Sequence, residues 1–358
     1  MGKESPAVPP SHVTPPLLRR TILAATGSLA PLALAGSLAP LAGVAAPQSA
    51  ATSAATSLPT VRLGVLAFGT VQWVASVIQS HGLDRAHGFT LATEALANND
   101  SAKVALLGRA VDIIVSDWLF VGSERAHGLG LSFAPFSSAS GAIMLGRNSP
   151  VRAVKDLAGR RLGIAGGPYD KSWMIVRAAA ERQDGIDLAH AADIVYAAPP
   201  LLSAKLAEGG LDAVLTYWNF AAALEVAGFR RLLAVSAAAE ALGLPANPPL
   251  IGYVFRESWA EKNAASIGGF LAASAAAEDV LAHSDAAWNA IRPLMHAADD
   301  RVFARLKAGF RAGIVHASPG SEEAAADRLF AILHALGGTA ATGGLDRLPP
   351  GVFWAAPS

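Results

Sequence analysis

The stretch RRLGIAGGPYDKSWMIVRA, Arg160 to Ala178, has the grammar of a strand, a turn and a helix. Leu162 to Ala165 is a short apolar run containing a glycine and bounded by another, as a buried parallel strand should be. Gly166 and Gly167 break the run, Pro168 suits the approach to a helix, and Tyr169, Asp170 and Lys171 precede Trp173. Such a turn presents bare backbone amides and a helix N-terminus, the usual setting for an anion. Neither a GxGxxG fingerprint nor a GxxxxGK[ST] loop is present, so no nucleotide and no cofactor is expected.

The same grammar occurs earlier. VRLGVLAFGTVQWVASVI, Val61 to Ile78, shares Arg-Leu-Gly and a β-branched residue, passes through glycine into a polar turn and reaches Trp73 where a helix begins. A second pair follows in the same order. KVALLGRAVDIIVSDW ends at Trp118 and KLAEGGLDAVLTYW at Trp218, and both close on Asp-x-x-(Val/Leu)-(Ser/Thr)-x-Trp. The offset is 99 residues for the first pair and 100 for the second, which marks an internal duplication. Each copy predicts a doubly wound α/β lobe. The fold class is therefore α/β, with two such lobes joined by a hinge and a ligand cleft beyond the carboxyl ends of their strands.

Candidate binding residues are those that this edge gathers. After the first strand they are Gly69, Thr70, Gln72 and Trp73, and Asn98 stands at the next helix start. Ser116, Asp117 and Trp118 end one duplicated strand; Tyr217, Trp218 and Asn219 end the other. Ser138 lies at the crossover, and Gly166, Gly167, Tyr169, Asp170 and Lys171 form the opening turn. The polar members also suit plain capping and turn roles. Trp73 lies opposite the stripe of Val71, Val74, Ala75 and Ile78, so it is read as a ligand, interlobe or surface residue rather than a core one. Trp173 shares a stripe with Val176 and Ala180 and reads as core. Trp118 and Trp218 are read as a clamp on a planar ligand, with core packing as the rival. Lys171 favours an anionic or electron-rich group there, opposed by Asp170.

Composition narrows the function. The chain has 358 residues, 52% of them hydrophobic, and equal numbers of basic and acidic residues at 28 each. No basic block follows residue 20, so nucleic-acid binding is not expected. Arg19 and Arg20 precede a long uncharged run of Ala, Leu, Gly, Ser and Pro, which reads as an export signal of twin-arginine or Sec type, cleaved between Ala45 and Ala55. Cysteine is absent, which excludes disulfides, thiolate metal sites, a cysteine nucleophile and a lipid-anchored N-terminus. No HExxH or Ser-His-Asp pattern is evident, and the nine histidines are scattered. His81, His87 and His127 each precede a glycine, as at helix ends.

SPVRAVKDLAGRRLGIAGG, Ser149 to Gly167, resembles the signature of periplasmic solute-binding proteins of ABC importers, of the nitrate/sulfonate/taurine type. Asp156 to Gly163 carries that likeness most closely, and the Asp112 and Asp212 segments resemble the family's two Asp-Ala-Val units. Asn219 departs from the acid common after the tryptophan. The resemblance, over about residues 60 to 320, implies a type 2 periplasmic binding fold. It divides the chain into a leader over 1–58, lobe one over 59–140, lobe two over 141–247, and a return to lobe one with C-terminal helices over 248–358. Gly141 and Pro248-Pro249 punctuate the hinge region. It further implies a monomeric periplasmic receptor that closes on a small-molecule ligand and serves an inner-membrane ABC permease and ATPase, without catalysis. Two alternatives stand open: an enzyme on the same scaffold, of thiamine-pyrimidine or menaquinone-pathway type, or a ligand-binding sensor that docks on another exported protein.

Overall fold

A computed structural model describes residues 57–245, 248, 250–315 and 319–355. The expected export leader lies outside the described residues apart from its last two positions, as does Pro249 of the hinge-region pair.

The first lobe opens β1 (Thr60–Leu66), α1 (Val71–Ser80), β2 (Thr90–Leu96), α2 (Asn99–Leu107), β3 (Ile113–Ser116), α3 (Trp118–Ala126) and β4 (Leu131–Ser137). The second follows with β5 (Ala142–Leu145), β6 (Arg161–Ala165), α4 (Lys171–Asp184), β7 (Asp193–Ala197), α5 (Pro199–Ala207), β8 (Ala213–Thr216), α6 (Trp218–Val226) and β9 (Arg230–Ala234). The chain then returns through β10 (Ile251–Arg256) and ends in α7 (Ala264–His283), α8 (Asp285–Ile291), α9 (Asp300–Ala312) and α10 (Pro319–Ala341).

The two five-stranded sheets have corresponding orders, β2-β1-β3-β10-β4 and β7-β6-β8-β5-β9. In each, the first three strands are parallel, and the fourth is antiparallel to both its neighbours. The duplication is therefore physical. Arg62 and Asp112 exchange backbone and side-chain bonds, with the Arg62 amide donating to Asp112 Oδ2 at 2.9 Å. Arg161 and Asp212 repeat the arrangement at 2.9 Å. Each pair ties the start of one strand to the loop before the next. Gly64 and Gly163 also correspond: a Cβ on Gly64 would stand 2.7 Å from Leu96, and one on Gly163 would stand 2.8 Å from Leu202 and Leu211. Glycine at these points lets the neighbouring side chains close over the strand.

The C-terminal helices do more than cover lobe one. α7 and α8 pack on α1, but α9 packs on α6 and α10 on α4, both in the second lobe. One hydrophobic cluster accordingly spans Trp118 and Phe133 of the first lobe, Trp173 and Val176 of the second, and Leu329 and Leu333 of α10. α7 is long and apolar enough to cross a membrane by length and composition alone. It buries Phe270, Ala273, Ala277 and Leu281, as a core helix of a globular domain does.

This arrangement overturns the surface reading of Trp73 and agrees with the interlobe one. The residue is only 3% exposed and packs at 6.0 Å, ring to ring, on Trp288, Phe310 and Trp218. Its indole N–H donates to the Leu294 carbonyl at 3.3 Å. The sheet covers one face of α1 and the returning C-terminal segment covers the other, so the face away from the apolar stripe is also core. Trp173 is fully buried as expected, with the Arg177 guanidinium 5.9 Å from its ring.

Candidate functional site

The carboxyl ends of β1, β3, β6 and β8 converge on a cavity of about 590 Å³ between the lobes. That volume lies within the range of small-molecule sites. The first lobe contributes Phe68, Gly69, Thr70, Asn99, Asp100, Lys103, Asp117 and Phe120 to its wall. The second contributes Gly166, Gly167, Pro168, Tyr169, Asp170, Lys171, Ser172, Tyr217, Trp218 and Asn219.

The opening turn is shaped by glycine. Gly166 and Gly167 have φ of 88° and 96°, which side chains rarely adopt. A Cβ on Gly166 would also stand 2.5 Å from Asp170 Oδ2, so the Asp170 carboxylate folds back over the bare turn. Asp170 Oδ1 accepts the Trp173 amide at 3.1 Å and caps α4. On the opposite lobe, Asp117 Oδ1 accepts the Phe120 amide at 2.7 Å and caps α3. These two helix N-termini thus carry a carboxylate of the chain itself, whereas α1 and α6, which also start at the cleft wall, have no side-chain cap.

Among the described residues, three polar contacts cross the cleft. Lys171 Nζ meets Asp117 Oδ1 at 2.6 Å, with both side chains largely buried. Asn99 Nδ2 donates to the Tyr217 hydroxyl at 3.3 Å, and Asn219 Nδ2 to the Phe68 carbonyl at 3.4 Å. Burial works to raise the Asp117 carboxyl, but the charges of Lys171 and Lys103, with bonds from Lys171 and the Phe120 amide, hold it below its ordinary value. Burial pushes Asp170 up to about 6 against the Trp173 amide and the Lys171 charge, and the Asp117 charge adds to the rise. Tyr217 is raised as well, chiefly by burial.

Of the residues singled out from sequence, the cleft wall includes Gly69, Thr70, Asp117, Gly166, Gly167, Tyr169, Asp170, Lys171, Tyr217, Trp218 and Asn219. The others lie elsewhere. Trp118 has no exposed surface and sits in the interlobe hydrophobic cluster, so no indole clamp forms across the cleft with Trp218. Trp73 reaches the site only by backing Trp218, edge to face at 6.0 Å. Gln72 turns its amide to the Ala67 carbonyl, and Asn98 closes a capping box with Ser101. Ser116 pairs with Gly252 in the sheet. Ser138 bonds the Gly313 carbonyl through its amide at 3.0 Å and its hydroxyl at 3.2 Å, tying the crossover to the end of α9. Phe68, Asn99, Asp100, Lys103 and Phe120 were not singled out. Their signal was available, since a helix start after β2 must lie at the same sheet edge as the turns after β1 and β3.

Residues 79–287, more than half of the chain, match the model of the family described as NMT1/THI5 like. The chain belongs to the NMT1/THI5-like family. No curated protein matches the sequence. Solved structures match this NMT1/THI5-like chain in fold at low identity. The periplasmic aliphatic sulphonate binding protein SsuA from Escherichia coli superposes with a TM-score of 0.65 at 19% identity, covering 84% of this chain and 94% of that one. The alkanesulfonate-binding protein SsuA from Xanthomonas axonopodis pv. citri, bound to MOPS, gives 0.62 at 18%, covering 84% and 97%. The desulfurization enzyme DSZB gives 0.54 at 17%, covering 84% and 96%. The two-lobed fold is thus that of periplasmic binding proteins, on a scaffold that one enzyme shares.

Proposed function

We propose that this protein is an extracytoplasmic solute-binding receptor of an ABC importer, which captures a small, polar, partly planar metabolite between its lobes and passes it to a membrane permease. The observation that carries the reading is the 590 Å³ interlobe cleft at the carboxyl ends of the duplicated strands, where aromatic faces stand beside a few polar groups. Family membership and the SsuA-like fold support it. Export of the chain as a monomer behind the leader of residues 1–58, and closure of the lobes on the ligand, belong to the same reading.

The likeness to DSZB favours a second reading, an enzyme on this scaffold. Against it, the described lining residues include no histidine, cysteine or glutamate, and Asp117 is engaged by Lys171. A positioned base near a free nucleophile is what general-base and covalent catalysis ask for. The test is native mass spectrometry of the full chain expressed in cells that export it. A single small molecule that leaves unaltered on mild denaturation is the expected result. A chemically converted product released on turnover would favour the enzyme instead.

A further inference from the structure

We propose that the cleft selects a neutral or cationic ligand that donates N–H hydrogen bonds, and excludes organic sulfonates and other strong oxyanions. The inference rests on the cleft being the ligand site. The features best suited to hold an oxyanion are largely answered by the chain. The Lys171 ammonium is bound by Asp117 at 2.6 Å. One first-turn amide of α3 and one of α4 are taken by Asp117 and Asp170, while the starts of α1 and α6 carry no side-chain cap and hold only the partial charge of a helix end. The Asp170 carboxylate also stands over Gly166, where the bare turn would otherwise receive an anion. Lys103 lies 4.8 Å from the Phe120 ring centre and within the field of Asp117. The described lining residues include no arginine, the side chain whose planar fork suits sulfonates and carboxylates.

What the wall leaves over is acceptor capacity. An ionised carboxylate accepts through about four lone-pair sites, and one amide or one ammonium uses few of them. Asp170 and Asp117 therefore retain oxygens that a ligand N–H can reach. An incoming anion would meet three carboxylates, Asp100, Asp117 and Asp170, against the two ammonium groups of Lys103 and Lys171, in a partly desolvated space where the excess repulsion is only weakly screened. A cation or a neutral donor meets attraction there, and the rings of Tyr217 and Trp218 add a face on which a flat or cationic group can rest.

The experiment is thermal denaturation of the full chain, freed of bound solute by dialysis, with a polar metabolite extract separated by ion exchange. The neutral-plus-cationic fraction should raise the midpoint by several degrees and the anionic fraction should not. Asp170→Asn, which keeps a helix cap, should lower the apparent affinity for the active fraction at least tenfold. A midpoint shift from the anionic fraction, alone or of equal size, overturns the inference and leaves the receptor reading standing. An unchanged affinity in the variant also overturns it. No shift from either fraction, with the protein folded by circular dichroism, overturns the receptor reading and this inference with it.

Discussion

Asp170 shows how one side chain can serve structure at a cost to stability. It caps α4, yet it does so while half-buried beside Asp117, and its carboxyl rises from the ordinary 3.8 to about 6. A raised acid favours the folded state when protonated. The penalty is absent well below the unfolded value, grows through the window between that value and about pH 6, and is complete above it. Asp117 is held below its ordinary value, so its charge persists through most of that window. Asp170→Asn keeps a capping oxygen and removes the charge. Chemical denaturation at a series of pH values should find the variant gaining on the wild type as pH rises to about 6, by up to about 3 kcal/mol. A difference independent of pH would show that the carboxyl is not raised. The tryptophans give a second contrast at this scale. Trp118→Ala empties a fully buried site and should lower stability by about 3–5 kcal/mol. Trp218→Ala should instead lower ligand affinity about tenfold with the fold retained, measured by calorimetric titration and circular dichroism. Sequence gave these two residues equivalent positions, and they are equivalent in the backbone. It could not distinguish their exposure, because Trp118 is covered by a cluster that includes Leu329 and Leu333, more than two hundred residues further along.

The elements most readable from sequence were those whose packing is local in pattern. β1, β3, β6 and β8 are short apolar runs with flanking glycine or aspartate, and the Arg–Asp pairs lock them in the same way in both lobes. The partner of each duplicated unit within its sheet was not readable. β10 completes the first sheet and β5 the second, each as an antiparallel strand beside parallel ones. Nothing in an apolar strand's own residues states its direction. The same is true of α1, where a stripe of Val71, Val74, Ala75 and Ile78 was visible and the second covered face was not. Two glycines test the packing at this level. Gly163→Ala brings a Cβ to 2.8 Å from two leucine side chains, which can shift, and should cost about 1–3 kcal/mol. Gly141→Ala brings one to 1.9 Å from the Thr216 carbonyl oxygen, a backbone atom at the crossover into the second lobe. It should therefore be clearly the more damaging of the two in urea denaturation. Equal losses would show that the crossover backbone yields as easily as a side chain does.

At the scale of the molecule, the two lobes meet through two kinds of contact, and they differ in what can separate them. Hydrophobic packing joins α9 to α6 and α10 to α4, while Lys171–Asp117, Asn99–Tyr217 and Asn219–Phe68 bridge the open cleft. The residue types of the ion pair were visible in the sequence as cap and first-turn residues. Their partnership was not, because it exists only when the lobes face one another. The pair is short and largely buried, so it is screened less by salt than a surface pair. Removing the lysine alone would leave Asp117 without its main counter-charge, which is more costly than removing both. The double change Asp117→Asn with Lys171→Met avoids that and asks only what the bridge contributes to closure. If the bridge favours the closed state by about 1.4 kcal/mol, its loss raises the ratio of open to closed molecules about tenfold. Small-angle scattering of the ligand-free double variant should then give a larger radius of gyration than the wild type, with unchanged circular dichroism. Loss of one of the two remaining bridges, in Asn219→Ala, should add a smaller increase, since a single neutral hydrogen bond at 3.4 Å is worth less than a charged one at 2.6 Å. An unaltered radius in the double variant would place lobe closure on the helix packing of α9 and α10 and leave the cleft contacts with no part in it.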